Sequence, residues 1–111
     1  MTVQAVKIEG KELVILSRRD FDALMERAGV MPPLPKRAKD GSVPALEFAR
    51  ANVAREVIRR RIAAGWTQQE LARRVGVRAE TISRLEAAKH VPRIETMERI
   101  DRVLPGVGKG R

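Results

Sequence analysis

Apolar and polar positions change period along the chain. Residues 3–8 (Val-Gln-Ala-Val-Lys-Ile) alternate in part and are β-prone. Residues 12–16 (Glu-Leu-Val-Ile-Leu) hold a short apolar run, and Glu9-Gly10-Lys11 between the two reads as a turn. Together they predict a β-hairpin. The period then becomes helical. Phe21, Leu24, Met25 and Ala28 form a stripe, Ser17 caps its start with Asp20 three residues on, and Gly29 ends it. Two strands are marginal in water, so this ββα unit must pack on something, and a second copy of itself is the natural candidate.

Residues 30–45 show no periodicity. Pro32, Pro33, Pro35, Pro44 and Gly41 punctuate them, with Lys36, Arg37 and Lys39 between. This composition predicts a semi-rigid linker rather than a packed element. It serves as a plain spacer, or as a basic strand lying on phosphates or on a partner protein. Helical periodicity returns over residues 46–64, where Phe48, Ala51, Ala54, Ile58 and Ile62 follow at steps of three or four and Gly65 ends the run. Residues 89–92 are a loop. Residues 94–104 predict a last helix with Ile94, Met97, Ile100 and Leu104 inward, stopped by Pro105, and residues 105–111 predict a frayed tail.

Residues 67–86 (Thr-Gln-Gln-Glu-Leu-Ala-Arg-Arg-Val-Gly-Val-Arg-Ala-Glu-Thr-Ile-Ser-Arg-Leu-Glu) are the most informative stretch. They encode two short helices and a tight turn, at the spacing that places a helix in the DNA major groove. Ala72 is small where the second helix must approach. Gly76 supplies a turn residue at positive φ, where a side chain costs energy. Val77, Ile82 and Leu85 share one face of the second helix, which leaves Ala79, Glu80, Ser83 and Arg84 outward. Thr67 caps the first helix, Glu70 is spaced to reach back to it, and Trp66 and Leu71 flank the cap as a hydrophobic staple.

Charge fits that placement. The chain has 23 Lys and Arg against 14 Asp and Glu, a formal net charge of +9. Residues 1–45 hold 8 basic and 6 acidic residues, and residues 46–111 hold 15 and 8. The excess of +2 against +7 therefore follows the two-helix motif, as a polyanion partner requires. Aromatic content of 3% argues against stacking of single-stranded bases. Cysteine is absent and His90 is the sole histidine, so neither a disulfide nor a metal site is expected. No nucleophile-base-orienter set and no Gly-rich phosphate loop is found, so an enzyme and a cofactor are not expected. No signal-peptide core or membrane-length apolar run occurs, which makes a cytoplasmic protein without a membrane partner the expectation.

Residues 55–104 resemble the lambda-repressor/Cro-like helix-turn-helix family, the Xre family. The resemblance rests on Gly-Trp-Thr-Gln-Gln-Glu-Leu-Ala (65–72), Val-Gly-Val (75–77), Thr-Ile-Ser-Arg-Leu-Glu (81–86), Lys89 and Pro-Arg-Ile-Glu-Thr-Met-Glu-Arg-Ile (92–100). The implied fold class is mostly α: a lambda-repressor-like helical domain (46–104) preceded by a ββα element (1–29) and the linker (30–45). Three departures stand out. Arg78 occupies a position usually Ser or Thr, which forfeits a cap of about 1 kcal/mol. Ala88 stands where Gly is common. The chain ends where the family often has a fifth helix, which puts dimerisation through that helix in doubt. Residues 1–29 are similar, less specifically, to the hairpin-helix end of prevent-host-death-type antitoxin dimerisation domains, through Val-Ile-Leu-Ser-Arg-Arg-Asp-Phe-Asp-Ala-Leu (14–24).

The resemblance implies roles for single residues. Ala79, Glu80 and Arg84 take base-reading positions, with Thr81 and Ser83 secondary. Arg84 suits guanine O6 and N7, Glu80 suits cytosine N4, and Ala79 suits a thymine methyl. The alternatives are a solvated surface arginine for Arg84 and an orienter of a neighbouring arginine for Glu80. Gln68, with nearby backbone N–H groups, is a phosphate candidate, and Arg78, Lys89 and Arg93 are phosphate contacts or are merely solvated. Arg61 and Glu86 match a buried structural ion pair. Within Arg59-Arg60-Arg61, helical geometry predicts a mixed face with one buried member. The expected function is a dimeric, sequence-specific regulator, a repressor that binds double-stranded DNA at an inverted repeat. Its rivals are an antitoxin that neutralises a toxin protein and regulates its own operon, and a non-specific nucleoid-type binder.

Overall fold

The computed structural model describes residues 3–106. The tail expected over 105–111 lies outside the described residues from 107 onward. The chain divides into two compact units, residues 1–31 and 32–111. The fold is mostly α with an N-terminal hairpin, as the sequence predicts.

The first unit contains β1 (Gln4–Ile8), β2 (Lys11–Ile15) and α1 (Arg18–Arg27). The strands pair antiparallel from Gln4↔Ile15 to Ile8↔Lys11. Only Glu9 and Gly10 lie between them, both at positive φ (51° and 78°), which is a two-residue turn of the primed kind that matches strand twist. Helix α1 starts at Ser17, whose Oγ accepts from the Asp20 N–H at 3.0 Å. Val6, Leu13 and Ile15 share one face of the hairpin, yet every strand residue is exposed. The stripe of α1 is no better covered, for no residue of α1 is buried. Among the described residues of this unit only Met31 is buried.

The second unit contains α2 (Ala45–Ala63), α3 (Gln68–Val75), α4 (Ala79–Glu86) and α5 (Ile94–Val103). Its core gathers Val57 from α2, Leu71, Ala72 and Val75 from α3, Ile82 and Leu85 from α4, and Ile100 and Leu104 from the end of the chain. Burying each large aliphatic side chain contributes roughly 1.5–3 kcal/mol, so this cluster dominates the stability of the unit. Trp66, Val77, Met97 and Val103 pack around it, half-buried.

Several inward positions differ from the sequence pattern. Ile94 is 76% exposed rather than inward. It is the first residue of α5, where the helix overhangs its neighbours, and Val103 takes up packing at the other end. Phe48 is exposed for the same reason, near the first turn of α2. Val57, one residue off the expected stripe, is fully buried because α2 is covered on a broader arc.

The proline-rich stretch is tied down in places. The Pro32 carbonyl accepts from Arg55 Nη1 at 2.9 Å, which holds the start of the stretch against α2. Residues 37–42 close a turn, with Ala38 N–H donating to the Ser42 carbonyl at 2.7 Å and Asp40 accepting from both the N–H and hydroxyl of Ser42. These bonds hold the Asp40 carboxyl below its usual range, the Ser42 hydroxyl first among them.

The Arg59-Arg60-Arg61 run has one buried member, as expected, and it is Arg60; Arg59 and Arg61 are half-buried. Arg59 bonds Glu56 at 2.8 Å, one turn back. Arg60 reaches across to the end of α5, with Nη1 to Asp101 at 2.7 Å, Nη2 to the Leu104 carbonyl at 2.8 Å and Nε to the Pro105 carbonyl at 3.1 Å. A guanidinium thereby satisfies orphan carbonyls at a helix C-terminus, where positive charge is also favoured by the helix dipole. Arg61 turns instead to Glu86 of α4.

Candidate nucleic-acid interface

The interface is built on α3, the turn after it, and α4. Thr67 has extended backbone and its Oγ1 accepts from the Glu70 N–H at 3.1 Å, which starts α3. The reciprocal half of the expected capping box is absent. The Glu70 carboxylate turns forward, pairing with Arg73 and with Arg74 Nε at 2.7 Å. Those two arginines, Arg73 first, hold its carboxyl below the usual range. Arg74 also lies over the Trp66 ring, 4.2 Å from its centroid.

Gly76 ends α3 at φ 87°, and the Gly76 and Val77 N–H groups both donate to the Ala72 carbonyl. Ala72 is 2% exposed at this closest approach. A side chain at Gly76 would meet only Arg99, at 4.0 Å. Glycine is therefore required there by backbone conformation and not by space. Arg78 follows in extended backbone and caps α4 with no side-chain bond, as its departure from Ser or Thr implies.

Helix α4 buries Ile82, Leu85 and Glu86 and turns its other side out. Ala79, Glu80, Ser83 and Arg84 are exposed and Thr81 is half-buried, so these candidates share one outward surface. Arg78 and Lys89 bracket α4, and Arg93 caps α5; all three are exposed. Ala88 sits at φ 60°, a left-handed conformation that a glycine would adopt without strain. It lets the Lys89 N–H turn back to the Arg84 carbonyl at 3.1 Å. The result is a cleft of about 500 Å³ lined by Glu80, Thr81, Arg84, Lys89 and His90. His90 is the addition to the residues expected from sequence. Its position after a basic turn is the only sequence signal that could have found it.

Glu80 and Arg84 are one turn apart, with oxygen and nitrogen 3.5 Å from each other and both side chains exposed. Such a pair is worth about 0.3–0.5 kcal/mol, whereas a bidentate arginine–guanine contact is worth roughly 1–3. The pair can thus orient Arg84 without preventing it from reaching a base.

The outward face is held by a buried network behind it. Arg61 donates from Nε and Nη2 to the two Glu86 oxygens at 2.7 and 3.0 Å, and from Nη1 to the Trp66 carbonyl at 2.9 Å. Gln68 Nε2 donates to Glu86 at 2.8 Å. Glu86 therefore joins α2, α3 and α4 with its charge compensated and its lone pairs used. Gln68 thus spends one N–H of its amide on Glu86, while its second N–H and the backbone N–H groups at the start of α3 stay available to a phosphate.

Among the described residues, no group of acidic, histidine or cysteine side chains is placed to hold a metal ion. No described helix is long and apolar enough to cross a membrane.

Residues 57–108 match the family model of helix-turn-helix domains. The match takes in α3, α4 and α5 with the last third of α2. Comparison with curated proteins finds no match. Over that span the chain is similar to helix-turn-helix domains, a likeness that suggests DNA binding in transcription regulation.

Proposed function

We propose that the protein is a sequence-specific transcriptional repressor that binds an inverted-repeat operator as a dimer. Helix α4 lies in the major groove, Arg84 reads a guanine with Glu80 orienting it, and Ala79, Thr81 and Ser83 complete the readout. Arg78, Lys89, Arg93 and the first N–H groups of α3 bind phosphates. Occupancy of the operator then blocks polymerase sterically. The observation that carries this reading is the outward face of α4: polar, exposed and backed by a fully satisfied buried network.

One helix-turn-helix covers one half-site, so affinity requires a second copy. The ββα unit supplies the surface, because its apolar strands have no cover within their own unit. That same surface favours a second reading, in which the unit engages a toxin protein and DNA binding serves autoregulation.

Footprinting on the DNA upstream of the gene tests the main reading. Arg84→Ala is expected to lose roughly 1–3 kcal/mol of discrimination at one base pair while melting like the parent. Lys89→Ala is expected to weaken all sequences alike and to lower the salt dependence. Unchanged specificity in Arg84→Ala overturns the assignment of α4. Sedimentation of residues 32–111 tests the dimer: a monomer is expected, and a tight dimer moves the interface to the helical unit.

A further inference from the structure

The described surface holds a second cleft of about 240 Å³, lined by Arg74, Val75, Arg99, Arg102 and Val103. It lies where the end of α3 meets α5, and it shares no residue with the cleft beside α4. Arg99 and Arg102 are one turn apart on α5 and share a side of it. Glu95 and Glu98 stand four residues before them, at a spacing that permits pairing. Neither arginine has a hydrogen-bond or ion-pair partner among the described residues. Arg74 is different: Glu70 and the Trp66 ring fix its stem and guanidinium in place.

Of the three guanidinium groups only Arg74 is bonded to a carboxylate, so an anion in the cleft finds unused donors on Arg99 and Arg102. The walls are not wholly polar, since half-buried Val103 lines them together with the edge of the largely buried Val75. The volume is below the roughly 300–1,000 Å³ that drug-sized ligands and cofactors occupy. It suits single side chains of a larger partner. A duplex presents phosphates at regular spacing, but its apolar thymine methyls lie inside the major groove and not beside those phosphates.

We propose that this cleft docks an acidic segment of a protein partner, one carrying Asp or Glu beside an aliphatic side chain, while α4 is on DNA. The regulator then has two faces. The face built on α4 reads the operator, and the face at α3 and α5 holds a protein. The docking goes beyond the DNA-binding reading; only its coincidence with α4 on DNA rests on that reading.

Fluorescence anisotropy on the full chain tests it, with a labelled peptide of alternating Glu and Leu, a labelled poly-Glu peptide of equal charge, and a labelled duplex. The Glu-Leu peptide is expected to bind more tightly than poly-Glu. Arg99→Glu with Arg102→Glu is expected to weaken the Glu-Leu peptide by about tenfold and to leave sequence preference on the duplex unchanged. Arg18→Glu with Arg19→Glu alters net charge equally on α1 and is expected to spare the peptide. Equal weakening by both double variants, or equal binding of the two peptides, reduces the effect to bulk charge and overturns the site. Loss of duplex binding with the peptide unaffected assigns the face to DNA and overturns it also. Loss of sequence preference on the duplex by Arg84→Ala, with peptide binding retained, supports two separate faces.

Discussion

The two compact units treat their apolar side chains in opposite ways. In the ββα unit both strands are exposed along their whole length and α1 buries nothing. In the helical unit Val57, Ile58, Leu71, Ile82, Leu85 and Ile100 are fully buried. Yet both units have well-marked local structure: a primed turn and a Ser17 cap in one, a Thr67 cap and a left-handed Gly76 in the other. Local signals are thus sufficient to specify elements but not to stabilise them. A hairpin with its hydrogen bonds made and its apolar faces uncovered still needs another surface, whereas four helices around one cluster do not.

The largest effect should come from the buried network of the helical unit. Arg61→Ala or Glu86→Ala strands a charge, at a cost of about 3–5 kcal/mol, which a domain of this size barely tolerates. Circular dichroism melts are expected to show the helical transition lowered steeply or lost. Melts that match the parent would mean that the network is incidental.

Core truncation puts the contrast between the units directly. Ile82→Ala should destabilise the chain by roughly 2–5 kcal/mol. Leu13→Ala, on the exposed hairpin face, should stay within about 0.5 kcal/mol at concentrations too low for self-association, and should weaken association instead. If Leu13→Ala lowers the melt of the dilute chain as much as Ile82→Ala does, the hairpin is covered from within the chain and the comparison fails.

Each unit also holds one non-glycine residue at positive φ, Ala88 and Glu9. Ala88→Gly removes strain next to a packed helix and is expected to raise the melting transition by an amount on the order of 1 kcal/mol. Glu9→Asn creates the Asn-Gly pair that primed turns favour. Its gain should appear as slower hydrogen exchange in β1 and β2, with the helical melt unmoved. A shift of the helical melt by Glu9→Asn would show that the units unfold together.

The smallest effect is that of Glu70. Arg73 and Arg74 lower its carboxyl in the folded chain from the ordinary 4.5. The sign follows: the stabilisation is present above that ordinary value and fades as pH falls through the lowered one. The melting difference between the chain and Glu70→Gln should stay constant from neutral pH down to about 5 and shrink only in acid. A difference that disappears nearer neutrality would show that the pairs do not form in solution.

Much of this protein is determined by sequence alone, because the signals are local. Thr67, Gly76, Ile82 and Leu85 act within one or two turns of themselves, so cap, turn and buried face are legible from spacing. The outward face of α4 is legible too, as what remains once the buried positions are assigned. The departures at Arg78 and Ala88 were also readable, and the backbone carries both, as an unbonded cap and a left-handed alanine.

Tertiary structure decided what depends on distant neighbours. Arg60 finds its partners more than forty residues away, at the end of α5. Gln68 gives one amide N–H to Glu86, and Glu70 turns forward to arginines instead of back to its cap. Ile94 has the right period for burial but lies where the helix overhangs. Periodicity gives the direction in which a side chain points. Whether anything stands there to cover or bind it is fixed only when the helices pack.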